Sequence, residues 1–151
     1  MEKLIAVLNG TSSPGLYTLE TPISTDALVT LSQKQGARLF YLNGAGISDK
    51  TEFLQAIATA MSFPDYFGQN WDALEDCLTD LDWLNGDRIV LLYDQPDRFA
   101  QADSSEWLVA LDILRSTVDY WLTNDRAFSV FFKGSNTDLV GFTDLVGLES
   151  L

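Results

Sequence analysis

The sequence contains no histidine. This absence excludes Ser-His-Asp and Cys-His catalysis, metal sites built on histidine, and histidine as a general acid or base. Cysteine is also scarce: Cys77 stands alone, so no internal disulfide can form and nothing suggests secretion. Acidic neighbours disfavour a thiolate at Cys77, and we expect a small buried residue there. Any catalysis would have to use carboxylates, tyrosine, lysine or one thiol.

Basic residues are few, with nine lysines and arginines against 22 acidic residues and a net charge of −13. This balance argues against binding to nucleic acid or to an anionic membrane, and it suits a basic protein partner. Long apolar runs are lacking as well. No run would span a bilayer, and the apolar run near the N-terminus is too short for a signal peptide. We therefore expect a cytoplasmic protein.

The order of predicted elements favours an α/β domain. The length of 151 residues and the hydrophobic content of 46% suit one globular domain. Short apolar runs bounded by turn residues predict strands at 4–8, 16–19, 38–42, 89–93 and 128–132. Helices are predicted over 25–35, after a cap at Ser48 or Asp49, and from Asp103 onwards. Strands that alternate with helices indicate a small, mainly parallel sheet.

Acidic residues concentrate in residues 63–82, which hold six of them and no lysine or arginine. Between Lys50 and Arg88 there are eight acidic residues and no basic one. A helix that turns by about 100° per residue would carry an apolar stripe on one side: Trp71, Leu74, Leu78 and Leu81. Its opposite side would carry Asp72, Asp76, Thr79 and Asp80. Such a helix belongs on the surface of a domain.

Local helix rules account for only part of this acidity. Asn70 is a good N-cap, and the helix dipole favours Asp72 in the first turn. Asp76 and Asp80 lie beyond that turn, and like charges four residues apart cost roughly 0.2–0.5 kcal/mol per pair. A helix that breaks a local rule without a local gain is a candidate functional face. A solvated face of an acidic protein is the alternative.

The same segment combines a proline, an acid, aromatic residues and a glycine with the start of the acidic helix: Pro64, Asp65, Tyr66, Phe67, Gly68, Asn70, Trp71, Asp72, Ala73, Leu74, Asp76, Cys77, Leu78 and Thr79. This pattern resembles the signature of the barstar family of ribonuclease inhibitors. Upstream, residues 42–44 (Leu-Asn-Gly) match the start of the family pattern. The resemblance implies a barstar-like domain over 37–133, in which a three-stranded parallel sheet (38–42, 88–93 and 127–133) packs with helices.

Two segments lie outside that resemblance. Residues 1–36 are expected to form an N-terminal strand-helix extension packed on the core, and residues 134–151 a C-terminal tail. Within the tail, residues 137–148 repeat a six-residue pattern, TDLVGF and then TDLVGL. We expect the apolar half of the repeat to pack on the domain; a tail that binds a partner is the alternative.

By resemblance, the chain is an inhibitor and not an enzyme, and it needs neither a cofactor nor a metal. It would block the active site of a basic, barnase-like ribonuclease with its acidic helix and the loop before it. The partner-binding residues expected from the resemblance are Tyr66, Phe67, Gly68, Asn70, Asp72, Glu75, Asp76, Thr79 and Asp80. Asp76 matches the aspartate that enters the ribonuclease active site, and Asp72 matches its neighbour one turn earlier. Gly68 would let the loop turn and approach closely.

The segment also departs from the family pattern. Glu75 stands where the family has an aromatic residue, residues 80–81 (Asp-Leu) replace Gly-Trp, and Phe67 replaces a tyrosine. These changes leave the identity of the partner open. The alternative reading keeps the fold and makes the chain an interaction module that binds another basic protein without inhibiting it.

Two further classes of site fit the sequence poorly. Residues 80–86 superficially resemble a calcium loop, but Leu84 occupies a ligand position and Gly86 comes one residue late. An enzyme with paired carboxylates needs acids that flank a substrate from two sides, with one pKa raised by burial. Asp72 and Asp76, four residues apart on an exposed helix, would both be ionised and point the same way.

Overall fold

The computed structural model describes residues 1–65, 67–80, 82, 84–134 and 148–151. Its helices within these ranges are α1 (Glu2–Asn9), α2 (Thr25–Lys34), α3 (Lys50–Met61), α4 (Trp71–Asp80), α5 (Asp97–Ala102) and α6 (Ser104–Leu122), with a short 3-10 helix at Gly44–Gly46. The strands are β1 (Leu16–Thr18), β2 (Arg38–Asn43), β3 (Arg88–Asp94), β4 (Ala127–Lys133) and β5 (Glu149–Ser150). The mixed α/β class predicted from the sequence is confirmed.

The strands form one parallel sheet in the order β2-β3-β4-β1-β5. The three strands expected from the family resemblance are present as β2, β3 and β4. The prediction of a three-stranded sheet is nevertheless wrong, because β1 and β5 add two strands beyond β4. Leu16 pairs with Val130, and Tyr17 pairs with Glu149. A strand as short as β5 has too few residues to show an alternating pattern.

Residues 4–8 lie in helix α1, so the predicted N-terminal strand is wrong. Leu4, Val7 and Leu8 are buried, and their spacing of three and four residues puts them on one helical face. An apolar run of this length fits a helix or a strand equally well. Gly10 has a φ of 85° and donates its N–H to the Val7 carbonyl, so it ends a helix and does not end a strand.

Both faces of the sheet are covered. The alternation of side chains along β3 sends Val90 and Leu92 to one face and Ile89, Leu91 and Tyr93 to the other. Buried residues of α1 and α2 pack on the first face, and those of α3, α4, α5 and α6 pack on the second. Burial on both faces explains why β3 is a continuous apolar run in the sequence.

Arg88, the first residue of β3, connects the two helices of the first face. Its Nε donates to the Leu8 carbonyl over 2.9 Å, and its Nη2 donates to the Gln35 carbonyl over 2.7 Å. Both carbonyls lie near helix C-termini, where backbone oxygens lack intrahelical partners and where a positive charge is favourable. The start of a central strand therefore holds the ends of α1 and α2 together.

Side-chain caps begin the helices that surround the second face. The Asp49 carboxylate accepts the Glu52 backbone N–H over 2.8 Å, and the Glu52 carboxylate accepts the backbone N–H and the hydroxyl of Ser48. The Asp103 carboxylate accepts the Glu106 N–H at the start of α6. Both caps were expected from the sequence. The expected helix at 25–35 is α2, and the Ser24 side chain caps it by accepting the Ala27 N–H.

The domain boundaries at residues 36 and 133 stay predictions. The repeat at 137–148 lies outside the described residues apart from Leu148, which packs against the core of the second face. None of the helices among the described residues is both long and apolar enough to span a bilayer.

Candidate functional site

The loop between α3 and α4 is anchored by aromatic residues. The Phe67 N–H donates to the Pro64 carbonyl over 3.0 Å and closes a turn. The rings of Phe63 and Phe67 meet edge to face with centroids 5.1 Å apart, and both pack against the core. Phe67 is therefore half-buried, and its ring serves to fix the loop. Tyr66, one of the residues expected to bind the partner, lies outside the described residues.

The loop enters α4 through Gln69 and Asn70. Gln69 has a φ of 52°, so it supplies the left-handed turn that we had expected Gly68 to allow. Gly68 is exposed, and a Cβ there would meet only ordinary contacts. The Asn70 carboxamide oxygen accepts the Ala73 N–H over 2.8 Å, which confirms the predicted N-cap. The Asn70 side chain thus holds the first turn of α4 in place.

Helix α4 has the two faces that its sequence predicts. Leu74, Cys77 and Leu78 are buried. The acidic residues of the predicted binding surface, Asp72, Glu75, Asp76 and Asp80, are all exposed. Among the residues that the structure describes, no ion pair joins the first three of these to a basic side chain. The outer side of α4 therefore presents a row of solvated carboxylates.

Thr79 belongs to the same predicted surface, but its hydroxyl already donates a hydrogen bond within α4. Its hydroxyl donates to the Glu75 carbonyl of the preceding turn over 2.8 Å, and the residue is half-buried. A threonine hydroxyl has one donor and two acceptor positions. Thr79 can therefore offer a partner an acceptor and a methyl group more readily than a donor.

The C-terminal end of the acidic row contains two carboxyls in contact. A hydrogen bond with Asp80, and then the negative charge of Asp80, raise the pKa of Asp82 above its ordinary value. The positive charge of Arg126 opposes this effect. Two acids that share one site resist the loss of the second proton, so a cation from a partner would relieve the repulsion between them.

Cys77 lies beneath this row, with only 3% of its surface exposed. Burial, followed by the charges of Asp80 and Asp76, raises the pKa of the Cys77 thiol. A thiol is a poor nucleophile in comparison with a thiolate. The buried position of the side chain matches the structural role expected from the sequence.

A tryptophan holds the N-terminal end of α4. The indole Nε1 of Trp71 donates to Glu106 Oε2 on α6 over 2.8 Å. The Trp71 ring lies 5.9 Å from the Phe53 ring, and the Lys50 ammonium lies 5.6 Å above it. The sequence identifies Trp71 as an apolar-stripe residue, but it does not reveal which distant acceptor its N–H meets.

A second tryptophan holds the other end of α4. The indole of Trp121, on α6, donates to the Leu78 carbonyl over 2.9 Å. This carbonyl is one of the last four of α4, which have no partner within the helix. The Arg126 guanidinium lies 5.6 Å from the Trp121 ring centre. Each end of α4 is therefore tied to α6 by an indole hydrogen bond, a feature that sequence reasoning missed.

Within the described part of the chain, the acidic row of α4 coincides neither with a group of metal-ligating side chains nor with the pocket beside β2. Among the described residues, no three cysteine, aspartate or glutamate side chains group closely enough to hold a metal ion. An open pocket of about 470 Å³ lies between β2 and α3, and none of the predicted binding residues lines it. The outer face of α4 is convex and charged, which suits a protein partner better than a small ligand.

A comparison with known protein families identifies the family of this chain. A family model described as Barstar (barnase inhibitor) matches residues 37–133, which is more than half of the chain. The matched range begins just before β2 and ends with β4, and it contains the loop and the acidic helix described above. A comparison with curated proteins finds no match.

Proposed function

Because the chain belongs to the barstar family, we propose that it inhibits a basic, barnase-like ribonuclease. Residues 65–70 and helix α4 would cover the ribonuclease active site, with Asp76 at the centre and Asp72 beside it. The observation that carries this proposal is the row of exposed carboxylates on α4, which no described ion pair neutralises at Asp72, Glu75 or Asp76.

Electrostatic complementarity supports the proposal. A ribonuclease active site carries cationic groups that bind the phosphates of RNA, and covering those groups is costly unless negative charge replaces the water around them. A folded helix can supply carboxylates there without being cleaved as a substrate. The net charge of −13 would also raise the association rate with a basic enzyme, and salt would weaken this effect.

The other residues of the predicted surface would contribute to binding around Asp76 and Asp72. Glu75 and Asp80 extend the acidic row on either side of Asp76, and Thr79 offers an acceptor. Tyr66 would cover the rim of the active site, and Gly68 would let the loop approach closely. Phe67 fixes the loop, and Asn70 shapes the start of the helix. This role needs neither catalysis nor a cofactor. We place the protein in the cytoplasm, where an inhibitor would protect the cell that makes the ribonuclease.

A separate observation supports a second candidate function. Glu75 and Asp80 are exposed and add charge at positions where the family resemblance expects an aromatic residue and a glycine. A basic partner other than a ribonuclease would fit the same surface. Inhibition of RNA cleavage separates the two functions, because salt-sensitive binding is expected for both.

The test is a titration of a barnase-type ribonuclease, with cleavage of a fluorescent RNA as the signal. We expect activity to disappear at one molecule of inhibitor per molecule of enzyme. Asp76→Ala should weaken inhibition by about 2–5 kcal/mol, because the substitution leaves a desolvated cation unpaired. Asp26→Ala removes the same charge from an exposed position on α2, so it serves as the matched control and should change inhibition little.

Two outcomes would count against the proposal. Full cleavage activity at excess protein would remove this class of ribonuclease as the target and favour the second function. Equal weakening by Asp76→Ala and Asp26→Ala would mean that only net charge matters and that Asp76 is not the central contact.

A further inference from the structure

Helix α4 is weak as an isolated helix. It has only ten residues, and helices shorter than about 12–15 residues are marginal in water. Its acids at positions 72, 76 and 80 repel each other one turn apart, and its last turn has no basic residue to interact with the dipole. The helix that carries the proposed binding surface therefore depends on the rest of the protein for its order.

Apolar packing supplies part of that order. Leu74 and Leu78 are fully buried in the core of the second sheet face. The hydrophobic effect has no preferred direction, so these contacts keep α4 on the domain but do not by themselves fix its rotation or its position along its axis. Hydrogen bonds are directional, and they weaken steeply when the angle is poor.

Two directional bonds connect α4 to α6, one at each end. Trp71 of α4 donates to Glu106, and Trp121 of α6 donates to the Leu78 carbonyl. α6 has 19 residues, eight of them buried, and it is capped by Asp103. The longer helix can therefore act as a rigid support for the shorter one.

We propose that Glu106 and Trp121 are positioning residues for partner binding: they hold α4 in one orientation and thereby preorganise its carboxylates. The inference rests on the proposed function for the nature of the partner. Without the two bonds, α4 would sample other orientations, and part of the binding free energy would be spent on ordering it. The charges would stay in place, so the long-range attraction that sets the association rate would be nearly unchanged.

Two variants remove the indole N–H groups and keep an aromatic ring without altering charge: Trp71→Phe and Trp121→Phe. Tyr17→Phe is the matched control, because it removes an aromatic hydrogen bond, to the Ser13 carbonyl, in the core of the opposite sheet face. In the free protein, we expect amide exchange in residues 75–80 to become about three- to tenfold faster in each tryptophan variant. The control should leave exchange in α4 unchanged.

Dissociation from a barnase-type ribonuclease is the second measurement. Each tryptophan variant should dissociate about three- to tenfold faster with an association rate within about twofold of the parent. Tyr17→Phe should lower only the melting temperature. Glu106→Gln keeps an acceptor for the Trp71 indole and should dissociate like the parent, whereas Glu106→Ala should not. In the Glu106→Ala background, Trp71→Phe should add little, because the bond is already lost.

Three results would decide against the inference or separate it from the proposed function. Unchanged exchange in α4 for both tryptophan variants would overturn it. Faster exchange with unchanged dissociation of the ribonuclease would show that the bonds are structural only, which also overturns it. If the parent protein does not bind the ribonuclease, the proposed function fails, and the exchange experiment alone decides whether Glu106 and Trp121 hold α4.

Discussion

At the scale of single residues, the acids of α4 oppose the stability of the helix that carries them. Asp72, Asp76 and Asp80 are spaced one turn apart and exposed. Repulsion of roughly 0.2–0.5 kcal/mol per pair is small beside the total stability of a domain, so the fold tolerates it. A partner with cations would turn this unfavourable arrangement into a favourable one.

The first prediction follows from the repulsion among the acids of α4. Asp76→Ala removes two like-charge pairs and places a better helix former in α4, so the free energy of unfolding should stay the same or rise by a few tenths of a kcal/mol. Urea denaturation of the free protein measures it. A loss of more than about 1 kcal/mol would show that Asp76 supports the fold, and weaker inhibition by this variant would then have a structural cause.

The second prediction concerns the contact between Asp80 and Asp82. The folded state raises the pKa of Asp82, mainly because the protonated Asp82 carboxyl can donate a hydrogen bond to the Asp80 carboxylate. The protonated form is thus favoured by folding, so the stabilising contribution is complete below the ordinary aspartate pKa and is lost as the pH rises through the raised value. Carboxyl ¹³C shifts should give Asp82 a pKa above 3.8 in the parent protein.

Asp80→Asn is the control for this titration. It removes the charge that acts on Asp82 and should bring the pKa back towards its ordinary value. If the pKa of Asp82 is the same in both proteins, the two carboxyls do not interact in solution.

At the scale of secondary-structure elements, local sequence patterns predicted the cap of α4 and its buried and exposed residues. They did not predict the hydrogen bonds that connect α4 to α6. The Asn70 cap, the buried Leu74 and the exposed Asp72 and Asp76 follow from periodicity and capping rules, which depend on near neighbours only. The bond between Trp71 and Glu106 joins residues 35 positions apart, and no local pattern encodes such a pairing. That the exposed acids bind a partner stays a prediction.

Local patterns also predicted some elements of the sheet region correctly and others not. β1, β2, β3 and β4 were predicted because each lies in a short apolar run bounded by turn residues. α1 was mistaken for a strand because five apolar residues carry too little periodicity to separate the two structures, although Gly10 was available as a helix-stop signal. β5 has only two residues and takes its structure from β1 beside it.

The third prediction tests the junction after β2. A Cβ at Gly44 would lie against the backbone oxygens of Asp94 and Gln95, which cannot move aside easily. Gly44→Ala should therefore lower the free energy of unfolding by about 1–3 kcal/mol. Gly46→Ala is the matched control in the same turn, since a Cβ there would meet no atom within 4 Å. Equal stability of the two variants in urea would refute the close approach at Gly44.

At the scale of the whole molecule, the proposed binding surface and the N-terminal helices lie on opposite faces of the sheet. Helix α4 packs in the core of the second face, whereas α1 and α2 pack on the first. Arg88 ties the latter two helices to the central strand β3. Stability and binding should therefore be separable by substitutions on the two faces.

The fourth prediction uses this separation. Arg88→Met keeps the apolar stem but loses the bonds to the Leu8 and Gln35 carbonyls, and we expect unfolding to become easier by about 1–3 kcal/mol. The inhibition constant for a target ribonuclease should not change at a temperature where the variant is folded. Arg38→Met is the control for lost charge, because Arg38 is exposed and makes a long hydrogen bond of 3.4 Å and a cation–π contact with Phe40 of its own strand. Equal destabilisation by both substitutions would show that the loss of positive charge, and not the loss of the two hydrogen bonds of Arg88, lowers the stability.

The strand order also bears on how the protein is made. A ribosome releases β2, β3 and β4 in the order in which they lie side by side, so these strands can pair as they emerge. β1 emerges before all of them, yet its neighbours are β4 and β5. Leu16 can pair with Val130, and Thr18 with Ser150, only after those later residues have been synthesised. Contacts between residues so distant along the chain form slowly. A chain that has been synthesised only as far as β3 therefore lacks both of the strands that pair with β1.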